Sequence, residues 1–128
     1  MKKLILIIIL FLTFSSICRG EFEWTLIVKS KQGDSFYIDL NVIEKKRNYV
    51  YFWQLNDYVK PTPGGYLSNI EYVLGDCKLI KDRVLKQYFS KTPMAGRIVA
   101  KYEKPHEWNE SHGPNSITGM ILSVVCNH

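Results

Sequence analysis

The chain has 128 residues, with 17 Lys plus Arg against 12 Asp plus Glu, 13% aromatic residues and three cysteines. Its first twenty residues, MKKLILIIILFLTFSSICRG, place two lysines before an apolar run from Leu4 to Leu12 and then turn small and polar. That is the order of a secretory signal peptide, and the run falls short of the about 20 apolar residues that a membrane-spanning helix requires.

Cleavage after Gly20 is expected, leaving 21–128 as one domain with no transmembrane helix. A lipid anchor on Cys18 is the alternative, although Ile17 stands where a lipoprotein signal normally has a small residue. Lys2, Lys3 and Arg19 leave with the segment, so 14 basic residues face 12 acidic ones, a net charge of +2. So small an excess, in an exported protein, excludes nucleic acid as the expected partner, which calls for a concentrated basic surface. The remaining length suits one core and not two. Without Cys18 two cysteines remain, Cys77 and Cys126. In an oxidising compartment such a pair reads as one disulfide, two unpaired buried thiols being the alternative.

Along the chain, apolar residues recur mostly at period two between turn signals about ten residues apart, a strand-rich pattern. EWTLIVK (Glu23 to Lys29) directs Trp24, Leu26 and Val28 to one side, and KQGD (Lys31 to Asp34) turns the chain into the strand SFYIDL (Ser35 to Leu40). NVIEKKRN (Asn41 to Asn48) reads as a helical turn or solvated loop. The strand YVYFWQLNDY (Tyr49 to Tyr58) carries five aromatic side chains in ten residues. At period two, Tyr49, Tyr51, Trp53 and Leu55 share an apolar face, expected to be core. Val50, Phe52, Gln54 and Asn56 share the other, expected to be a half-covered outer face.

PTPGG (Pro61 to Gly65) breaks regular structure, because proline lacks a ladder donor and glycine weakens a strand. Extended segments follow over Tyr66 to Cys77 and Lys78 to Ser90; the second also fits helical spacing, and its neighbours favour strand. A turn and a short strand from Arg97 precede the irregular polar loop EKPHEWNESHGPN. Ile117, Met120, Ile121, Val124 and Val125 then recur at three and four, with Asn115 or Ser116 as N-cap, marking an amphipathic helix from about Ser116 to Cys126. Its apolar stripe has only the sheet to cover it, and it brings Cys126 within reach of Cys77.

Candidate chemistry is sparse. His106, Glu107, Glu110 and His112 invite a metal reading, but the histidines stand six apart between Pro105 and Gly113-Pro114, where the zinc-protease motif needs four on one helix. A solvated loop is the expectation. No nucleophile elbow, phosphate-cradling glycine loop or CxxC pair is present in the sequence, so neither a cofactor nor enzymatic activity is expected. The loop KPTPGGY, with aromatic residues at both shoulders, is the better contact candidate, placing Tyr58, Lys60 and Tyr66 at a binding surface.

Taken in order, Trp24, GDSFYIDL, YVYFWQLNDY with KP behind it, YLSNIEY leading to Asp76-Cys77, Trp108, PNS at Pro114 to Ser116 and the closing Val125-Cys126 resemble the surface-adhesin protein E family of small exported bacterial proteins. The resemblance covers nearly the whole domain. It implies an α+β fold, a single antiparallel sheet of about six strands with a C-terminal helix packed on one face and tied by a Cys77–Cys126 bridge. It further implies a protein partner, a host extracellular matrix or serum protein, and pairing as a homodimer. The stretch resembling the family's binding region runs from about Lys60 to Lys78, which adds Tyr72 and Lys78 to the candidates; its basic residues are Lys60 and Lys78, beside Glu71 and Asp76. The function expected is that of an exported, non-enzymatic binding module at the cell surface or in the periplasm. A periplasmic envelope protein of structural role, without external ligand, is the alternative.

Overall fold

The structure, a computed structural model, describes residues 21–110 and 112–128. The expected signal peptide, its cleavage point and Cys18 lie outside the described residues. Among the described residues seven strands, β1 (Trp24–Lys29), β2 (Ser35–Asp39), β3 (Glu44–Lys46), β4 (Tyr49–Asp57), β5 (Ser68–Asp76), β6 (Lys81–Ser90) and β7 (Ile98–Tyr102), precede one α-helix, α1 (Ile117–Asn127). The strands form a single antiparallel sheet in the order β1-β2-β4-β5-β6-β7, with β3 also on β4.

Local chemistry sets most of the boundaries. Gly33, at φ +98°, supplies the left-handed residue of the β1–β2 turn, which closes by Ser30 N donating to Asp34 O at 2.9 Å. β2 ends where the Asp39 carboxylate accepts from Asn41 N at 3.0 Å and starts a 3-10 turn over Leu40–Val42. That turn carries the chain from the half of β4 paired with β2 (Gln54 to Asp57) to the half paired with β3 (Tyr49 to Tyr51). The segment expected to be a helical turn or loop therefore contains both a turn and a short strand. At the helix start, Ser116 Oγ accepts from Gly119 N at 3.0 Å and donates to Gly113 O at 2.7 Å.

The helix packs on one face of the sheet. Ile121, Leu122 and Val125 join Ile38, Val50, Phe52 and Val73 in the buried core. Each such side chain, fully buried, contributes about 1.5–3 kcal/mol. Gly75, the cross-strand partner of Val50, makes room for the helix: a Cβ there would lie 2.6 Å from Leu122 Cδ2 and 2.9 Å from Val50 Cγ1. The Cys77–Cys126 disulfide bridges the end of β5 to the last turn of α1.

The expected orientation of β4 is reversed. Val50 and Phe52 are fully buried under the helix, while Tyr49 is exposed and Tyr51 and Trp53 are half-buried on the opposite face. Val50 and Phe52 carry no polar side-chain atom and fit beneath a helix seated over Gly75, whereas rings bearing O–H and N–H groups do better half in water. Gln54 and Asn56 follow Val50 and Phe52 on the covered side and are themselves buried.

Two stability measurements test this core. Gly75→Ala is expected to destabilise the fold by about 1–3 kcal/mol through overpacking against Leu122 and Val50, read by urea denaturation. Reduction of the disulfide, whose cysteines are 49 residues apart, should remove about 4 kcal/mol by the loop-entropy relation; an unchanged melting temperature on reduction would contradict this.

Candidate functional site

Cross-strand register assembles the face opposite the helix. On β4 and β5 it pairs Tyr51 with Leu74, Trp53 with Tyr72 and Leu55 with Ile70, and on β6 it adds Lys86 beside Tyr72 and Tyr88 beside Ile70. Phe22, just ahead of β1, stacks on Trp24 at 4.7 Å between ring centroids and reaches Trp53 at 5.3 Å. Trp53 meets Tyr72 at 4.7 Å and Tyr88 at 6.2 Å, and Tyr72 meets Tyr51 at 6.1 Å. Six aromatic rings thus run unbroken across the sheet, five of them half-buried and Phe22 38% exposed. Partial burial, the leading cause for each, holds the Tyr72 and Tyr88 hydroxyls above the ordinary tyrosine value.

Both ends of this face are bounded by loops. At one end the β6–β7 connection folds over it: its 3-10 turn, Pro93–Ala95, lies against β4 and β5. Ser68 Oγ donates to Thr92 O at 2.6 Å and accepts from Ala95 N at 2.8 Å, which closes the space beside the fully buried Leu55. A shallow depression lined by Phe22, Trp53, Ile70, Tyr88 and Ile98 opens next to it. At the other end Trp108 approaches Tyr49 at 6.4 Å and lies under Lys81 and Arg83, at 4.9 and 5.6 Å from the ring centre.

Trp108 owes its position to the segment carrying the two histidines. His106 N donates to Val84 O, Asn109 N to Asp82 O and His112 N to Ile80 O, at 2.8 to 2.9 Å, so 106–110 and His112 follow β7 along the rest of β6. Of the four side chains considered for a metal, His112 Nε2 lies 3.7 Å from Asp82 Oδ1, and His106 stands edge-on to Tyr102. Among the described residues no group of three or more His, Cys, Asp or Glu side chains is arranged to hold a metal ion.

On the helix side, beyond the helix, the sheet carries amides. Gln54 Nε2 donates to Asn56 Oδ1 at 2.6 Å, Asn56 Nδ2 to Asn69 Oδ1 at 2.9 Å and Asn69 Nδ2 to the Tyr58 hydroxyl at 3.2 Å. Beside them Glu71 accepts from Gln87 Nε2 at 3.0 Å. Burial raises the Glu71 carboxyl above the ordinary glutamate range, against the opposing hydrogen bonds from Gln87 and Asn56. Burial likewise raises Tyr58, and the charge of Glu71 adds to it.

The five binding candidates from the sequence do not converge. Tyr58 belongs to the amide network, its ring half-buried. Tyr66 packs against Phe89 with ring centroids 4.9 Å apart, and the exposed Lys60 lines a hollow with Gln32, Asp34 and Val59. Lys78 is exposed in the turn at the far end of β5, where Asp76 Oδ1 accepts from Lys78 N at 2.9 Å. Tyr72 alone of the five lies in the aromatic face, under Lys86 Nζ at 5.6 Å. The other rings of that face escaped notice as contact residues because Tyr51 and Trp53 were assigned to the core; the signal available was the clustering of Trp24, Tyr51, Trp53, Tyr72 and Tyr88 at like-facing strand positions.

The Surface-adhesin protein E family model matches residues 24–127. The chain belongs to this family. No curated protein and no solved structure gave a significant match. The family match spans every strand and the helix, so the adhesin-family domain is the whole sheet-and-helix unit. Among its described residues no helix is long and apolar enough to cross a membrane.

The raised Glu71 sets a pH dependence. A carboxyl whose folded pKa lies above its unfolded value binds its proton more tightly when folded, so stability falls as pH rises from the ordinary glutamate range to the raised folded value. Glu71→Gln keeps an acceptor for Gln87 and removes the charge. It is expected to flatten stability over that window and to raise it at neutral pH, read by denaturant midpoints from acid to neutral pH.

Proposed function

We propose that this adhesin-family domain is an exported, non-enzymatic module that binds another protein through the aromatic face of its sheet. The single observation behind this reading is the unbroken path of six rings on the side of the sheet that the helix leaves uncovered. Contiguous exposed apolar surface on a small protein marks an interaction site. Trp, Tyr and Arg dominate binding energetics because they bring large rigid area at little entropic cost. The family name supports an adhesin-like role at the cell surface; a host extracellular matrix or serum protein is the partner class we propose.

Strand addition fits less well. Within the Lys60 to Lys78 stretch, the backbone of β5 is paired with β4 on one side and β6 on the other, so only the side chains of that strand are available to a partner. Contact through a face also agrees with the alternation of strand side chains, which puts Ile70, Tyr72 and Leu74 together on the uncovered side.

Binding of the purified protein to immobilised matrix and serum proteins tests the reading. Trp53→Ala and Tyr72→Ala should each weaken binding by about tenfold or more, the range of an interface hot spot. Loss of binding on Lys60→Ala or Tyr66→Ala, with the face variants unaffected, would move the contact to the β4–β5 loop. Absence of any binding at micromolar concentration would refute the adhesin role. Trypsin applied to intact cells should degrade the displayed protein; protection would place it in the periplasm.

A further inference from the structure

The aromatic face carries a strip of cations along one border. Register places Lys81, Arg83 and Lys86 of β6 beside Asp76, Leu74 and Tyr72, and Lys101 of β7 beside Tyr88, so all four stand on the side opposite the helix. Lys86 is there because of a bulge. It follows Arg83 by three residues, which in a regular strand would turn it to the helix side, but the register slips between Tyr72 and Val73 and leaves Leu85 as the extra residue.

Three of these cations are held by contacts with rings or backbone, and Lys101 stands exposed beside them. Lys81 and Arg83 lie over Trp108 and Lys86 over Tyr72, and Arg83 Nε donates to His106 O at 3.0 Å. None of the four makes an ion pair among the described residues, where the pairs are Lys46–Glu44 and His112–Asp82. The nearby carboxylates Asp76 and Glu103 hydrogen-bond to other groups and form no ion pair with these cations. Asp76 Oδ1 accepts from Lys78 N and Leu79 N, both at 2.9 Å, and Glu103 accepts from the Tyr88 hydroxyl at 3.3 Å.

We propose that the partner segment seated on this face is an acidic polypeptide, extended, with Glu and Asp residues set among aromatic or apolar ones. The inference rests on the protein-binding reading above and assigns the chemistry of the ligand. Cations that make no ion pair, beside a row of rings, are complementary to carboxylates alternating with apolar side chains. The repeat agrees as well: residues two apart on a strand are about 6.6 Å apart, the interval between alternate side chains of an extended peptide laid along β6.

Fluorescence anisotropy with a labelled glutamate–tyrosine copolymer tests this on the purified protein. The copolymer should bind, lose affinity as salt is raised, and outcompete both polyglutamate and a lysine–tyrosine copolymer. The double variant Lys86→Glu/Lys101→Glu, at two exposed positions, should weaken binding by about tenfold or more, and Lys31→Glu/Lys104→Glu, of equal net charge, by less than about twofold. Melting curves of both variants confirm folding, and Lys86→Gln/Lys101→Gln should give an intermediate loss. Trp53→Ala separates the two levels. If it abolishes capture of a matrix or serum protein while the charge variants do not, the face binds protein and the acidic assignment is overturned. If none of these changes affects capture, the face reading falls too. Tight binding of heparin or of a single-stranded oligonucleotide, with no binding of the copolymer, overturns the inference in favour of a different polyanion.

Discussion

The seating of Leu122 over Gly75 is the contact on which the architecture turns. A helix of 11 residues covers a limited part of one sheet face, and it settles where a missing side chain on β5 lets it approach closely. Val50 and Phe52, flanking that gap on β4, then become core, and the residues alternating with them are committed to the other side. The disulfide ties the far end of the same helix to the turn after β5. One close approach, with one covalent tie beside it, thus decides which aromatic residues are buried and which remain available.

The two ends of the covered face differ in chemistry for the same reason. Beneath the helix the sheet is apolar; past its reach, Gln54, Asn56 and Asn69 are buried and Glu71 half-buried without an apolar roof, and they pair with one another and with Tyr58 and Gln87. Buried amides must find partners or pay desolvation in full. A ladder of side-chain amides across adjacent strands meets that demand in place of a second helix. Glu71 is the strained member, since its charge is disfavoured by the burial that orders its neighbours.

What was readable beforehand was what is local. The KQGD turn, the break at PTPGG, the cap at Ser116 and the pairing of two cysteines depend on a few adjacent residues or on simple parity, and the strand order of a meander follows from short connections. The facing of β4 was not readable, because Tyr49, Tyr51, Trp53 and Leu55 are the more apolar set by composition. The arbiter is an absent side chain on a neighbouring strand, Gly75, 25 positions after Val50 and opposite it in register. The role of His106, Asn109 and His112 was hidden in a similar way: Pro105 and Gly113-Pro114 mark the segment as irregular, yet the backbone hydrogen bonds of these three residues suffice to hold them along β6 and carry Trp108 to the end of the aromatic face. The binding candidates followed the loop and the family stretch along the chain, whereas the rings that meet come from four different strands and the residues before β1.

The bulge opposite Tyr72 and Val73 has a consequence for how this protein can vary in length. With Leu85 absorbed as an extra residue, Asp82, Val84, Gln87 and Phe89 look toward the helix, and Lys81, Arg83, Lys86 and Tyr88 look away from it. A one-residue deletion at Leu85 would close the bulge and restore strict alternation, leaving each of those eight side chains on its present side. β6 thus holds one residue in reserve, at the point where its two halves meet, and the strand's length is free to change there without altering what either surface presents.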